Sequence, residues 1–312
     1  MRVVEVSAYG GPEVLRTAHR PEPEAGAVPG EVRVRLKATT VNQADLAIRA
    51  GEFADVMPDL RLPFVLGFDF VGRLLDPAPG LAEKQRVAGF VPWFQRPGRG
   101  TYAEVITVDP AWLAPVPDEV DVVDAASVPF SSQTAHEALE HLALPEGATV
   151  FISGASGVVG RFAVQHAAER GLRVIALSHE GGEGELKVLG AEHTILRGEP
   201  ETVVAEVLRH SPEGVDGVFD PARIADPLLR VVKDGGVFIA GHASSVPVAE
   251  RDIRAHTFAT TSDGARLKGM LERLAERKLT TRVADVFPLE EAAEAHRRAE
   301  SGGRLGRIVL VI

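Results

Sequence analysis

The sequence predicts an α/β protein in which a doubly wound parallel sheet is joined to a smaller β-rich domain. Residues 1–117 contain short strand patterns separated by turns rich in proline and glycine. From about residue 120 onward, strand and helix patterns alternate, which is typical of a parallel sheet covered by helices on both faces. An apolar run at 150–153 ends in a glycine-rich turn, and a helical pattern follows that turn.

The β-rich region is predicted from alternating apolar and polar side chains. Glu31–Lys37 alternates valine or leucine with basic residues, as a half-buried strand does. Residues 20–30 hold three prolines and two glycines and are expected to form a loop. The strands expected here are Val3–Ser7, Glu31–Lys37, short strands within 62–75 and 85–92, and Thr101–Val108.

The alternating region is predicted to run to the end of the chain. Pro129 is expected to interrupt or kink the first helix, because proline removes a backbone donor and clashes with the preceding turn. The expected helices are Asp124–Leu142, Val158–Arg170, Glu185–Leu189, Glu201–His210, Pro227–Val232, Ala265–Lys278 and Leu289–Ala299. The expected strands are Val150–Ser153, Leu172–Leu177, Val215–Asp220, Gly236–Gly241 and Arg307–Ile312, the last returning to the first domain.

The glycine-rich turn is the strongest functional signal. Gly154 permits the tight turn after the strand, Gly157 lets phosphates approach the backbone, and Gly160 lets the helix pack closely. The amides of Val158 and Val159 would then face a pyrophosphate at the helix N-terminus. This pattern between a strand and a helix predicts a Rossmann dinucleotide site; the alternative is a plain strand–turn–helix with glycines at the bend.

The end of the next strand predicts which dinucleotide is bound. A carboxylate at that place would bind the ribose 2′-OH of NAD, but this chain has Ser178 and His179, with Glu180 following. Serine leaves room for a 2′-phosphate, so NADPH is favoured over NADH. His179 is either a phosphate contact or an exposed loop residue.

Composition narrows the class of protein. The net charge is −10, from 34 basic and 44 acidic residues, which argues against nucleic acid or an anionic membrane as the main partner. The sequence has 0 cysteines, which excludes disulfides, thiolate zinc sites and a cysteine nucleophile. No secretory pattern opens the chain and the longest apolar stretches are short, so we expect a soluble, cytoplasmic protein.

A series of short motifs resembles the zinc-free quinone oxidoreductases of the medium-chain dehydrogenase/reductase superfamily, and most of all their ζ-crystallin-like branch. The order and spacing of these motifs through nearly the whole chain carry the resemblance. They are Tyr9-Gly10-Gly11-Pro12-Glu13-Val14-Leu15, Val41-Asn42-x-x-Asp45, Arg49-Ala50-Gly51, Pro63-x-x-x-Gly67-x-Asp69, Gly100-Thr101-Tyr102-Ala103-Glu104, the 154–160 turn, Leu189-Gly190-Ala191 and Pro288-Leu289-Glu290-Glu291-Ala292-Ala293.

The resemblance implies both an architecture and an activity. It implies a GroES-like β-rich domain over 1–120 that regains about 285–312, and a Rossmann domain over 121–284. The cleft between them would hold nicotinamide and substrate, and the assembly would be a homodimer or homotetramer. The reaction would transfer hydride from NADPH to a small-molecule quinone or α,β-unsaturated carbonyl without a metal.

The resemblance also assigns residues. Asn42 would lie near the nicotinamide and donate to the reacting carbonyl; the alternative is an amide that caps the next helix. Asp45 and Arg49 are expected to form an i,i+4 pair on that helix. Related bacterial enzymes carry tyrosines where this chain has Ala47 and Phe53, which leaves the proton donor open.

The remaining cofactor contacts follow from the same resemblance. Arg197 would stack on the adenine or meet the 2′-phosphate, unless it is an ordinary surface arginine. The lysine that grips the 2′-phosphate in some relatives is replaced by the Glu180–Gly182 segment. The full expected set is Thr134, Gly154, Ser156, Gly157, Val158, Val159, Ser178, His179, Arg197, Gly241, His242 and Ala243.

Two other functions stay open, and a zinc site is not expected. Zinc-dependent relatives carry Gly-His-Glu where this chain has Gly67-Phe68-Asp69, and phenylalanine binds no cation. A non-catalytic, crystallin-like nucleotide-binding protein would keep the glycine turn without turnover. An enoyl-thioester reductase would need a basic channel, for which Arg96 and Arg99 are the candidates.

Overall fold

The computed structural model describes residues 1–303 and 305–312. The strands are β1 (Arg2–Val6), β2 (Leu15–His19), β3 (Val32–Val41), β4 (Phe64–Val65), β5 (Asp69–Leu74), β6 (Arg86–Phe90), β7 (Val105–Val108), β8 (Ala114–Pro115), β9 (Thr149–Ile152), β10 (Arg173–Ser178), β11 (His193–Leu196), β12 (Val215–Asp220), β13 (Val232–Ala240), β14 (Arg254–His256), β15 (Val283–Pro288) and β16 (Arg307–Val311). The α-helices are α1 (Gln43–Ala50), α2 (Val122–Ala126), α3 (Pro129–Leu142), α4 (Val158–Glu169), α5 (Glu183–Val188), α6 (Pro200–His210), α7 (Gly264–Ala275) and α8 (Ala292–Glu300). No helix among these residues is both long and apolar enough to span a membrane.

The first compact unit combines residues 1–133 with 261–312. Its main sheet runs β15-β16-β3-β5-β6-β8, with β7 also paired to β3, and a second sheet runs β2-β1-β4. The last strand, β16, pairs antiparallel with β3. Its core includes the fully buried rings of Phe64, Phe68, Phe70 and Trp93.

The second compact unit spans 134–260 and is the doubly wound sheet that the sequence predicts. Its strand order is β11-β10-β9-β12-β13-β14, and every neighbouring pair is parallel. Numbered from its first strand, this is the order 3-2-1-4-5-6 of dinucleotide-binding folds. The central strand β9 is buried throughout, and β12 is buried except at Asp216, as expected for a parallel sheet covered by helices.

The unit boundaries extend the β-rich region beyond the segments that the resemblance implies. The first unit reaches Gln133 rather than residue 120, and the chain re-enters it at Thr261 rather than at about 285. Helix α7 explains the later boundary, because it packs against β8 of the first unit. The Gln133 side-chain oxygen also accepts the backbone N–H of Asp263 at 3.1 Å, which ties the two crossing segments together.

Most predicted elements are confirmed to within a few residues. Helix α2 ends at Ala126 and α3 begins at Pro129, so proline separates two helices as expected. Two predictions were wrong in kind or extent. Asp226–Val231 is a 3-10 helix rather than an α-helix, and only Val105–Val108 of the expected strand Thr101–Val108 is extended. The amide of Thr101 donates instead to the Gly67 carbonyl at 3.3 Å, and that of Tyr102 to the Leu66 carbonyl at 2.9 Å.

Candidate functional site

The strand order of the second unit reverses between β9 and β12, and open α/β sheets form a binding crevice at such a point. Strands β9 and β12 are neighbours there, and the chain leaves them in opposite directions to α4 and to the 3-10 helix Asp226–Val231. Ligands of open α/β sheets bind outside the carboxyl ends of the strands at such a place. The carboxyl ends of β9, β10 and β13 carry nearly all of the residues that the sequence assigns to the cofactor.

The glycine turn adopts the geometry that phosphate binding requires. Gly154 has φ of +55°, in the left-handed region that glycine enters without strain. A Cβ on Gly160 would lie 2.2 Å from the Gly154 carbonyl oxygen, so only glycine lets α4 pack this close to the turn. A Cβ on Gly157 would meet only that oxygen, at 3.2 Å. The surface over Gly157 is therefore open, while Gly160 is closed by backbone.

Helix α4 begins at Val158, with Gly157 as its N-cap and no side chain bonded to its first turn. The first amides of a helix have no carbonyl one turn earlier to which they can donate. The amides of Val158 and Val159 are therefore the donors that a pyrophosphate would meet, and the helix dipole favours its negative charge. The turn thus fits the group that the sequence predicts for it.

Ser156 and His179 lie together beside this turn. The Ser156 hydroxyl oxygen is 3.0 Å from His179 Nδ1 and accepts the His179 backbone N–H at 3.3 Å. The Ser178 hydroxyl is buried and donates to the His179 carbonyl at 2.8 Å, so it faces away from solvent. A Cβ on Gly182 would lie 2.2 Å from His179 Cε1, so the glycine makes room for the imidazole.

The other predicted contacts are more scattered. Arg197 is exposed, and its backbone N–H donates to the Ser178 carbonyl at 2.7 Å at the end of β11. His242 caps a 3-10 helix that begins at Ala243, and its Nδ1 accepts the Ser244 N–H at 3.1 Å. The Thr134 hydroxyl bonds to the Thr260 hydroxyl at 2.9 Å.

A buried pair that sequence reasoning missed links the two strands at the crevice. The Ser153 hydroxyl after β9 donates to the Asp220 carboxylate at the end of β12, and both residues are fully buried. Asp220 also accepts the Ala225 N–H at 2.8 Å, and Ser153 accepts the Ala222 N–H at 3.1 Å. The sequence does contain a signal for this pair, because Ser153 and Asp220 are polar residues at the ends of two apolar strands.

The first unit holds a second polar cluster, centred on Asn42. Its Nδ2 group donates to Asp69 at 2.9 Å and to Thr40 at 3.2 Å, and its Oδ1 accepts from Arg307 at 2.5 Å. Both amide hydrogens are therefore engaged by protein acceptors. Asn42 is also the N-cap of α1, and its backbone N–H donates to Asp45 at 2.8 Å. Asn42 therefore stands at the start of α1, and the role of its side-chain amide stays a prediction.

Buried ionisable groups surround this cluster. Arg307 is buried, and its charge is offset by Asp69 and Asp45. Burial raises the pKa of Asp45 to about 7, although the amides of Asn42 and Gly67 both donate to its oxygens. The cluster therefore holds a cation and two carboxyl groups away from water, where each depends on the others.

The expected i,i+4 pair between Asp45 and Arg49 was wrong. Arg49 instead donates to the Gly10 carbonyl at 3.0 Å and to His296 Nδ1 at 3.1 Å, and it pairs with Glu300. Because a guanidinium only donates, His296 accepts at Nδ1 and donates from Nε2 to the Tyr102 hydroxyl, 3.0 Å away. Burial, and then the Arg49 charge, lower the pKa of His296 to about 3.

Comparisons with known proteins agree with this arrangement. The family model "Alcohol dehydrogenase GroES-like domain" matches residues 28–118, and "Zinc-binding dehydrogenase" matches residues 189–310. A solved structure of an NAD-dependent alcohol dehydrogenase is 32% identical, aligns over 100% of both chains and has a TM-score of 0.84. The chain belongs to the medium-chain dehydrogenase/reductase superfamily.

Two curated relatives place the chain in the quinone oxidoreductase branch of the superfamily. The quinone oxidoreductase of Lama guanicoe is 28% identical over 100% of this chain and 98% of its own length. The chloroplastic NADPH-dependent alkenal/one oxidoreductase of Arabidopsis thaliana is 26% identical over 99% of this chain and 79% of its own. The predicted family and fold class, a Rossmann sheet with a GroES-like domain, are therefore confirmed.

The residues of this superfamily member do not fit a catalytic zinc. Phe68 stands where zinc-dependent relatives have histidine, and its ring stacks on Phe130 with centroids 5.0 Å apart. Asp69 beside it already accepts from Thr40 at 2.6 Å and from Asn42. Across residues 1–303 and 305–312, no group of three or more His, Cys, Asp or Glu could hold a metal ion.

The tyrosines of this chain do not replace those of its bacterial relatives. Ala47 is buried on α1, and the Phe53 ring packs against Phe94 with centroids 5.0 Å apart. Tyr102 is fully buried against His296, and burial raises its pKa well above the ordinary value. Tyr9 packs near Phe64, with ring centroids 6.1 Å apart. No tyrosine hydroxyl stands at the positions where relatives carry one.

Proposed function

We propose that this protein is an oxidoreductase that transfers hydride from NADPH to a quinone or to an α,β-unsaturated carbonyl, without a metal. The observation that carries the proposal is the glycine turn: an open surface over Gly157 beside the unbonded amides of Val158 and Val159, on a sheet of dinucleotide-binding order. The quinone and alkenal/one oxidoreductases among the relatives support the choice of substrate.

The chain's own residues bind and orient, and the nicotinamide supplies the hydride. The amides at the start of α4 would hold the pyrophosphate, and Ser156 with His179 would lie beside the adenosine ribose. Asn42 is proposed to orient the reacting carbonyl. Both amide hydrogens of Asn42 already donate to protein acceptors, to Thr40 at 3.2 Å and to Asp69 at 2.9 Å. We propose that the substrate carbonyl replaces Thr40 as the acceptor, because that hydrogen bond is the longer of the two. Water would then protonate the product oxygen.

The preference for NADPH over NADH is a separate proposal. Ser178 ends β10 where a carboxylate would select NAD, and its hydroxyl is turned into the protein. The relatives differ on this point, since the alkenal/one oxidoreductase is NADPH-dependent and the alcohol dehydrogenase is NAD-dependent. Calorimetric titration with each nucleotide tests it: tighter binding of NADPH supports the proposal, and equal or tighter binding of NADH contradicts it.

Turnover tests the reaction itself. The purified full chain would be incubated with NADPH and a panel of quinones, enones and an enoyl-CoA, with and without a metal chelator, and oxidation of the nicotinamide followed by absorbance. We expect oxidation with quinones or enones that the chelator does not change. Tight NADPH binding without any turnover would favour the non-catalytic alternative, and turnover of enoyl-CoA alone would favour a thioester reductase.

We also propose that the protein assembles as a homodimer or homotetramer. The resemblance to the superfamily supports this proposal, and sedimentation equilibrium on the full chain tests it. A monomer at micromolar concentration would contradict the proposal without affecting the assignment of the nucleotide site.

A further inference from the structure

The loop that follows β12 faces the glycine turn from the neighbouring strand. A Cβ on Gly154 would lie 3.2 Å from the Ala222 Cβ and 3.3 Å from the Ala222 nitrogen. The loop is fixed at both ends by the buried Ser153–Asp220 pair, because Ser153 accepts the Ala222 N–H and Asp220 accepts the Ala225 N–H. One wall of the crevice is thus the glycine turn, and the other is this loop.

Within the loop, two residues with side chains occupy backbone space that glycine normally takes. Arg223 has φ of +59° and Ala225 has φ of +62°. Left-handed conformations of such residues persist only where the surrounding structure holds them, and they are frequent at ligand sites. The two anchoring hydrogen bonds lie on either side of Arg223 in the chain. These two hydrogen bonds fix the loop on both sides of the left-handed Arg223.

The Arg223 side chain is exposed and carries an unmatched charge. Among residues 1–303 and 305–312, nothing forms a hydrogen bond or ion pair with its guanidinium. The carboxylate closest in sequence behind it, Asp220, is buried and already occupied by Ser153 and Ala225. Arg223 therefore directly follows Ala222, which lies against Gly154 of the turn, and among the described residues no carboxylate forms an ion pair with it.

We propose that Arg223 is a pyrophosphate contact of the bound dinucleotide, held in place by the Ser153–Asp220 pair. The inference rests on the proposed function, since it needs a nucleotide at the glycine turn. A guanidinium and the amides of α4 would then contact the two phosphates from opposite walls. Because NADPH and NADH share the pyrophosphate, Arg223 contributes equally to both, unlike a residue that meets the 2′-phosphate.

Calorimetric titration of the full chain with NADPH and with NADH distinguishes a pyrophosphate contact from a 2′-phosphate contact. Arg223→Gln removes the charge and keeps most of the length, and we expect the Kd for both nucleotides to rise by the same factor, about 10-fold. Arg223→Gly also relieves the left-handed backbone, so it should lose affinity equally while its Tm stays the same or rises. Arg277→Gly is the matched control, because Arg277 is also exposed, with φ of +58°, but lies in the other unit.

Each outcome decides the inference. Equal loss for both nucleotides in the two Arg223 variants, with unchanged binding in Arg277→Gly, supports it. Unchanged Kd in Arg223→Gln, or loss for NADPH alone, overturns it. A Tm of Arg223→Gly well below that of Arg277→Gly also overturns it, because Arg223 would then be structural. If the wild type binds neither nucleotide, the proposed function fails as well, whereas wild-type binding with an unaffected variant removes this inference alone.

Discussion

Alanine at Gly160 should destabilise the fold far more than alanine at Gly157, although the two glycines are about one turn apart. At Gly160 the new Cβ would lie 2.2 Å from the Gly154 carbonyl oxygen and 2.6 Å from the Ala155 Cα. Both atoms belong to the backbone, so the turn or the helix must move. Overpacking costs about 1–3 kcal/mol, and a backbone clash belongs at the upper end of that range. For a unit of this size, about 3 kcal/mol lowers the Tm by roughly 10 °C.

At Gly157 the same methyl group meets one atom at 3.2 Å, and φ of −76° is allowed for any residue. We expect Gly157→Ala to cost about 1 kcal/mol or less, mainly from the poorer N-cap. The larger Gly157→Val should fold as well, but its side chain would occupy the open surface over the turn. Its Kd for NADPH should therefore rise by at least tenfold.

Thermal melting by circular dichroism and nucleotide titration of the same samples test this pair of effects. The melting transition of the nucleotide-binding unit is the relevant one, since the chain has two compact units. Wild-type melting of Gly160→Ala would refute the packing argument. Wild-type nucleotide affinity in a folded Gly157→Val would refute the assignment of the turn as the phosphate site.

Three further substitutions test other parts of the structure. Arg307→Met should destabilise the β-rich unit by about 3–5 kcal/mol in urea unfolding, because it leaves buried carboxyl groups without their cation; a loss under about 1 kcal/mol would contradict this. The pKa of His296 is about 3 in the folded protein and near 6.5 in the unfolded chain, so below about pH 6.5 the unfolded chain binds a proton that the folded protein does not. The free energy of unfolding of wild type should therefore fall by about 3–4 kcal/mol relative to that of His296→Asn between pH 7 and pH 3. Asp45, whose pKa is raised to about 7, makes the free energy of unfolding fall as the pH rises above about 4, and it does so in both proteins. The difference between the stability curves of the two proteins therefore reports His296 alone. Parallel stability curves would contradict the lowered pKa of His296. Ser156→Ala should weaken NADPH roughly 5-fold and leave NADH unchanged, because the hydroxyl orients His179; equal effects on both nucleotides would contradict a 2′-phosphate role.

The sequence predicts the doubly wound sheet well because its central strands are continuous apolar runs between clear turn signals. Val215–Asp220 was predicted to the residue, and its burial is almost complete. The missed strands lack such a signal. Arg254–His256 has three residues at the sheet edge, and His193–Leu196 has a single buried side chain. Pairing with a neighbouring strand, rather than local pattern, makes these segments extended.

The nucleotide turn was predictable because its requirements are local. Gly154, Gly157 and Gly160 lie within seven residues, and each has a steric reason that follows from its place between strand and helix. Ser153 and Asp220 were missed because their contact spans 67 positions in the sequence. Only the parallel register of β9 and β12 brings them together. Arg223 was missed because its own segment does not indicate that the loop lies against Gly154, which is distant in the sequence.

The backbone and the side chain of Asn42 do different things in the structure. Its backbone position begins α1, so any good N-cap residue would satisfy the helix. The side chain does something else: Arg307 fixes Oδ1, and Asp69 with Thr40 fixes Nδ2, so the amide plane has one orientation. Aspartate would cap the helix equally well but would place a third carboxylate beside Asp69. The buried charges around this position therefore require an amide. A catalytic role of Asn42 would depend on the orientation that these charges give the amide, and not on helix capping.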